Sequence, residues 1–414
     1  MNKKILVVVM LSLVLLLCSC GDKREVVQTK EEPPIETKEK GNKKEFQLPD
    51  ASSVSLTDSG VLYCRITEQE GTVDPKNDTT CSSVSTEIGT AEYVIYNPET
   101  GKSRSIGVVE GLSYEAMYAR TELGGKIYTL FMRGNLLQDG NPLVLLEINP
   151  NGGLKEYTVC ENGFPYSSMT AMEGKLVIAY HEPGENGDDK VVEFDLQSGR
   201  IRELARYGYL KDGTHERIRA VCHDGQQGYL LSIRYTEQGN RMILTSFEPG
   251  FVNTRTKDIT DIFAEAVRTL NLTEEDAANE LIQNVAHFRI NGDDILFYQN
   301  FSCVTFAANL RNDSILLSGT DLLHVSEGSG TTYLYEYMKG GEPESDKTNR
   351  MFVPEGEKLR EREFPTEDSR YYISAASSAA HGEWLVILEP WDERKGSEEL
   401  PTLLYYWKEE VHYD

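Results

Sequence analysis

The sequence has little of what usually carries chemistry. Its seven cysteines include no Cys-x-x-Cys pair, and its seven histidines are scattered at 181, 215, 223, 287, 324, 381 and 412. No two histidines stand at metal-ligand spacing; His215-Glu216-Arg217 lacks the second histidine of a zinc-binding helix, and His181-Glu182-Pro183 reads as a loop. There is no Gly-x-Ser-x-Gly elbow and no phosphate-binding glycine loop. Asp188-Asp189 and Asp293-Asp294 lack calcium-loop spacing and read as solvated turns. No catalytic, cofactor-binding or metal-ligating residue is therefore assigned, and a carboxylate pair for glycoside hydrolysis has no positive sign. Long apolar runs are missing too. The N-terminal one, residues 5–17, covers 13 positions, short of the roughly 20 a membrane-crossing helix needs.

Cations are also in short supply. The chain carries 42 Lys and Arg against 67 Asp and Glu. Two cations lie in residues 1–19 and seven charges of each sign in residues 20–45, leaving 33 against 60, a net −27, on residues 46–414. Such a body repels nucleic acid and anionic head groups and suits a cationic or neutral ligand. Acidity that serves solubility alone is the plainer explanation.

What is present begins at the N-terminus. Lys3 and Lys4 precede the apolar run, and Leu17-Cys18-Ser19-Cys20 closes it, giving the order of a secretory signal. The tetrad resembles the bacterial lipobox. The resemblance implies a signal peptide over 1–19 and acyl chains such as palmitate on Cys20. It also implies a place on the extracytoplasmic side of a bacterial cell membrane. It covers 20 residues and implies an address rather than an activity. An ordinary signal peptide with incidental cysteines is the alternative. Each buried methylene contributes about 0.8 kcal/mol, so several chains on one cysteine hold where a single chain holds only reversibly. Residues 20–45, rich in Lys, Glu, Thr and Pro, cannot bury enough apolar surface to order themselves and read as a tether.

After Cys20 remain Cys64, Cys81, Cys160, Cys222 and Cys303. Cys64 and Cys81 could pair across a long loop, but an odd total leaves a free thiol, and a domain of this length does not need a bridge.

The body, 46–414, reads as all-β: short runs of Val, Ile, Leu, Tyr and Phe between Gly, Asn, Asp and Pro turns. A strand ending in an Asx-type turn recurs at Asn97, Asn149 and Asp195, with a looser copy at Glu248, spaced 52, 46 and 53 residues apart. A glycine-led strand precedes each copy, at Gly60, Gly125, Gly174 and Gly228, and again at Gly292 and Gly382. Four strands per period of this length resembles β-propeller proteins, without the dipeptide signatures of a subfamily. The expected blades run near 51–109, 113–160, 165–206 and 214–258, with a fifth from 285, a degenerate sixth near 319–360 and a last near 370. Seven blades are expected, six being the alternative. The last strand, 402–407, is the third of its blade, so residues 45–48 are expected to supply the fourth. Residues 259–286 break the pattern with helical spacing and read as a helical hairpin, a cover over an exposed sheet edge or the mouth of the ring more readily than a docking element.

Twenty-two tyrosines, such as Tyr333, Tyr335 and Tyr337 on alternate positions, serve packing between blades or a recognition surface. The expected function is a membrane-tethered, non-enzymatic binding or scaffold propeller, with a protein or glycan ligand near the pore. It is expected to be monomeric and to bind no nucleic acid. An extracytoplasmic carbohydrate-active hydrolase or lyase, or an envelope-assembly factor, are the alternatives.

Overall fold

Several strands end where a tight turn reverses the chain, and those turns are built from local chemistry. Asn97 Oδ1 accepts the backbone N–H of Glu99 and Thr100 at 2.8 and 3.1 Å. Asp195 Oδ1 accepts those of Gln197 and Ser198 at 2.9 Å each. Gly101 and Gly199 follow at φ 68° and 66°, a region side chains disfavour. The same turn closes a later strand at Asn309, whose Oδ1 accepts Arg311 N–H at 2.8 Å. There Asp313, at φ 55°, stands where the other copies have glycine.

The structure, a computed structural model, describes most of residues 35–408; the longer stretches outside the described residues are 1–34, 70–87, 114–119, 135–140, 273–284, 337–348, 365–370, 391–401 and 409–414. Seven antiparallel sheets follow one another along the chain. Blade 1 holds Ser53–Thr57, Gly60–Gln69, Ile88–Asn97 and Lys102–Ser113, and blade 2 Arg120–Leu123, Lys126–Met132, Leu143–Asn149 and Gly153–Cys160. Blade 3 holds Phe164–Met172, Lys175–Glu182, Asp188–Asp195 and Arg200–Tyr207, and blade 4 His215–His223, Gly228–Thr236, Gly239–Glu248 and Val252–Asp258. Blade 5 holds Val285–Ile290, Ile295–Asn300, Val304–Asn309 and Ser314–Thr320, and blade 6 Leu323–Val325, Leu334–Glu336, Asn349–Glu355 and Lys358–Phe364. Blade 7 begins with Tyr371–Ala379, Glu383–Pro390 and Leu403–Lys408. The fold is the seven-bladed propeller expected, and the weakly marked sixth blade is complete.

The fourth strand of blade 7 comes from the other end of the chain. Lys43–Phe46 pairs antiparallel with Leu403–Lys408, in register from Lys43 opposite Trp407 to Phe46 opposite Leu404. Thr37–Lys40 then adds an outer strand beyond it. Closure was expected from residues 45–48; the pairing lies slightly upstream, and the tether expected to run to residue 45 gives up both strands to the folded body.

Seven buried apolar clusters fill the ring, one in each seam between neighbouring blades. Because both faces of a blade are covered, middle strands such as Leu143–Asn149 are buried almost end to end rather than at alternate positions. Tyr333 and Tyr335 belong to the seam between blades 6 and 7, as packing residues; Tyr337 lies outside the described residues. Helix α1, Thr260–Thr269, buries Ile262, Phe263, Ala266 and Val267 over the seam between blades 4 and 5. Phe263 meets Tyr298 and Phe306 edge-on, with centroids 5.0 and 5.2 Å apart. The helix covers that seam rather than the expected sheet edge or mouth; the second helix of the expected hairpin falls outside the described residues.

Closure of the ring predicts where the chain can be shortened. Phe46 is buried and packs on Tyr96 at 4.6 Å, so Phe46→Ala should destabilise by about 3–5 kcal/mol. A chain starting at residue 47 should melt well below one starting at residue 35, measured by circular dichroism. Equal melting temperatures would show that the N-terminal strands do not hold the ring shut.

Candidate functional site

The alternation of strands sends the connections to two ends of the ring. Turns between the first and second and between the third and fourth strands of a blade share one end; most are tight. The longer connections, and the links from blade to blade, share the other. At the tight-turn end, Glu327–Gly328 adds a short parallel strand to the inside of blade 7, opposite Ser377–Ser378. That strand lines the inner edge of blade 7 at the tight-turn end, and the loop-bearing end forms the other mouth of the ring.

The first strand of each blade lies innermost, where the first strands of neighbouring blades touch. In blade 4 this strand carries His215, Arg217 and Arg219, all half-buried, alternating with buried Glu216, Ile218 and Ala220. The alternation puts both arginines and the histidine on one side. Its register with Gly228–Thr236 slips between Ile218 and Ala220, so Arg219 is the extra residue of a β-bulge. Bulges bend a strand and re-aim side chains. Here the Arg219 guanidinium donates to the Tyr235 hydroxyl at 2.7 Å. The first strand of blade 5 also slips, between Val285 and His287, and repeats the His-x-Arg order as His287-Phe288-Arg289.

Arg217 is anchored from the neighbouring blade. Its Nε donates to Asp189 Oδ2 at 2.8 Å, and the Ile218 N–H donates to the same oxygen at 2.7 Å. His181 Nδ1 lies 2.9 Å from Asp189 Oδ1 and 2.8 Å from an Arg217 Nη. One nitrogen cannot donate to the first and accept from the second at once, so the proton on His181 decides how Arg217 is held. Asp189 is fully buried. This corrects the reading of Asp188-Asp189 as a solvated turn, and His181 ends a strand rather than sitting in a loop. Removing one partner of a buried ion pair typically costs about 3–5 kcal/mol. Asp188, beside it, takes Arg206 at 3.1 Å.

Aromatic rings flank these charges. Tyr209 stacks on His215 at 4.5 Å and 9°, and His215 on Tyr235 at 5.8 Å and 27°. Tyr209 is 69% exposed, the most exposed large apolar side chain described. Burial, then Arg217 and Arg219, push the His215 pKa below the ordinary histidine value, against Asp189 and Asp188. Its Nε2 is buried without a hydrogen-bond partner, as is Nε of Arg219. Each such buried orphan costs about 1–3 kcal/mol, more when charged. Among the described residues neither Arg219 nor Arg289 makes a salt bridge; Arg289 donates to the Phe288 carbonyl at 3.1 Å. Across the ring, Arg120 donates to Ser55 Oγ, and its Nε is likewise buried without a partner.

Of the histidines singled out in the sequence, His181 and His215 therefore meet at the mouth. His324 accepts from Gln299 at 2.9 Å and stacks on Tyr335, a packed position. His223 ends its strand at the tight-turn end, and its Nδ1 accepts Gly225 N–H at 3.3 Å. Asp294 pairs with Arg311 at 2.7 Å. Cys20, Cys81, Cys303, Asp293, His381 and His412 lie outside the described residues, while Cys160 and Cys222 are free thiols. Burial raises the Cys222 thiol to about 12, against the pull of Arg289. Among the described residues no three His, Cys, Asp or Glu side chains gather closely enough to hold a metal ion. Sequence reasoning missed Arg217, Arg219, Arg289, Tyr209 and Tyr235. The signal was His-x-Arg at the start of two successive blades.

The lowered His215 pKa fixes a pH dependence. Below about 6.5 the unfolded chain takes up a proton that folded His215 resists, so stability falls as pH drops through that value toward the folded pKa. His215→Phe should lose less stability between pH 7 and pH 5, in urea titrations at each pH. A residual slope is expected from His223, whose pKa burial also lowers, with Asp224 opposing. An unchanged slope would remove His215 as a titrating group.

No family model matches the chain, and no curated protein does. Among solved structures it is similar to polysaccharide lyase Uly1, at 10% identity and TM-score 0.46 over 87% of this chain and 90% of that one. It is similar to the β-propeller domain of the Trilobed protease from Pyrococcus furiosus, at 11% and 0.43 over 86% and 94%. It is also similar to YCF48 bound to D1 peptide, at 8% and 0.42 over 92% and 99%. At such identities and scores these likenesses assign no activity.

Proposed function

We propose that the chain is a lipid-anchored binding propeller on the extracytoplasmic side of a bacterial membrane, taking its ligand at the loop-bearing mouth between blades 3, 4 and 5. One observation carries the binding part of this reading. His181, His215, Arg217, Arg219 and two stacked tyrosines converge on one opening, and the buried Asp189 holds part of that set in place. Recognition sites have this make-up: a few polar groups fixed by their surroundings beside aromatic area. The anchoring part rests on the lipobox-like Leu17-Cys18-Ser19-Cys20. The strands at 37–46 add support, because a tether ending in the closing blade keeps the ring attached directly to its anchor.

A second reading draws on His215. Its neutral form is favoured and its Nε2 is unpartnered beside two guanidiniums, which suits a base acting next to a substrate carboxylate. Turnover of an acidic polysaccharide, followed as absorbance of an unsaturated product, would select that reading over simple binding.

Two experiments test the proposal. Cys20→Ala should move the protein out of the membrane fraction, and mass spectrometry of the mature chain should find acyl chains on residue 20. A mature chain with unmodified Cys20 overturns the anchor. A photo-cross-linking residue placed at Tyr209 should form adducts in whole cells well above one placed at Val252, which is exposed on an outermost strand. Equal yields overturn the mouth as the binding site.

A further inference from the structure

Arg219 and Arg289 sit on adjacent innermost strands, and neither makes a salt bridge among the described residues. Among the described residues, the buried carboxylate of Asp189 is committed to Arg217, and Asp188 to Arg206. The buried Nε–H of Arg219 has no hydrogen-bond partner among the described residues. The half-buried Arg219 guanidinium, without a salt bridge among the described residues, suits a planar anion, because its fork matches the two oxygens of a carboxylate. The bulge that displaces Arg219 out of register gives it its position, and the Tyr235 hydroxyl fixes one of its nitrogens.

Beside it, the three-ring stack of Tyr209, His215 and Tyr235 ends on the exposed Tyr209. A flat, rigid aromatic surface takes the C–H face of a sugar ring with little loss of side-chain freedom. Charge and ring surface belong to one connected array, through Tyr235, which stacks on His215 and accepts from Arg219.

We infer that the mouth binds an oligosaccharide bearing carboxylates, with a carboxylate on Arg219, Arg289 reinforcing the positive field, and a sugar face on Tyr209. The inference rests on the binding reading above and names the ligand class of the same site. An acidic peptide would satisfy the arginines but leaves the flat stack without a matching partner, so the saccharide is favoured.

The full chain, purified in detergent, is titrated calorimetrically with a galacturonate trisaccharide, the neutral galactose trisaccharide and an acidic hexapeptide. The uronate should bind at least tenfold more tightly than the other two and should weaken as salt rises. Arg219→Gln should lose about tenfold or more in affinity and Arg219→Lys less, because lysine keeps the charge but not the fork. Tyr209→Ala should weaken the trisaccharide several-fold while leaving acetate binding unchanged. The melting temperature of Arg219→Gln should match that of the parent, whereas a merely structural arginine would lower it. Equal binding of the neutral sugar, or full affinity in Arg219→Gln, overturns the carboxylate contact. Tighter binding of the peptide overturns the sugar. No uronate binding at millimolar concentration, alongside strong cross-linking at Tyr209, overturns this inference alone; failure of both removes the site.

Discussion

A ring of blades is only as secure as its last joint, and here that joint is the pairing of Lys43–Phe46 with Leu403–Lys408. Every other blade is built from consecutive hairpins whose partners are near in sequence. Blade 7 must join chain ends hundreds of residues apart, and the hydroxyl of Tyr405 donates to Glu45 at 2.6 Å across that interval. Loop closure over such a span grows only slowly more unfavourable with length, so a few buried contacts suffice to keep it shut. Phe46, Leu404 and Tyr406 supply them in the seam with blade 1. The additional strand Thr37–Lys40 covers the edge that closure would otherwise leave facing solvent.

The closed ring fixes the innermost strands relative to each other, and the mouth depends on that. Arg217 belongs to blade 4, but the groups that hold it, Asp189 and His181, belong to blade 3. Such a contact forms only when the two blades are packed through Val177, Val191, Ile218 and Leu230. Burying Asp189 without its cation would be strongly unfavourable. The seam and the site therefore stabilise one another: apolar packing brings the charges together, and their pairing makes the burial tolerable.

This division explains what could be read in advance. The turns at Asn97, Asn149 and Asp195 were visible because an Asx residue and a following glycine are a local device. The fifth copy, at Asn309, was not, because Asp313 takes the left-handed position without a glycine to mark it. Blade 6 was placed by its interval alone, and its first strand is only Leu323–Val325. The site was almost entirely hidden. Asp189 follows Gly187 and another aspartate, which locally spells a turn; its burial is decided by Arg217, 28 residues away in the next blade. The bulge at Arg219 leaves no mark in the sequence either, since it is a property of the pairing with the neighbouring strand.

The acidic body and the proposed anionic ligand are compatible, for a reason that magnitudes make clear. The body carries −27, from which a cationic or neutral ligand follows if the charge is treated as smeared over the surface. At physiological salt the screening length is about 8 Å, so distant surface carboxylates contribute little within the mouth. Two unit charges 4 Å apart interact by about 4 kcal/mol at an effective dielectric of 20. Glu193, on the third strand of blade 3, is moreover paired where it stands, with Lys175 and Arg202 at 2.8 and 3.1 Å. Within the proposed site, Arg219 and Arg289 make no salt bridge among the described residues. On that proposal the near field is cationic although the far field is acidic, and at contact distance the near field outweighs the far one.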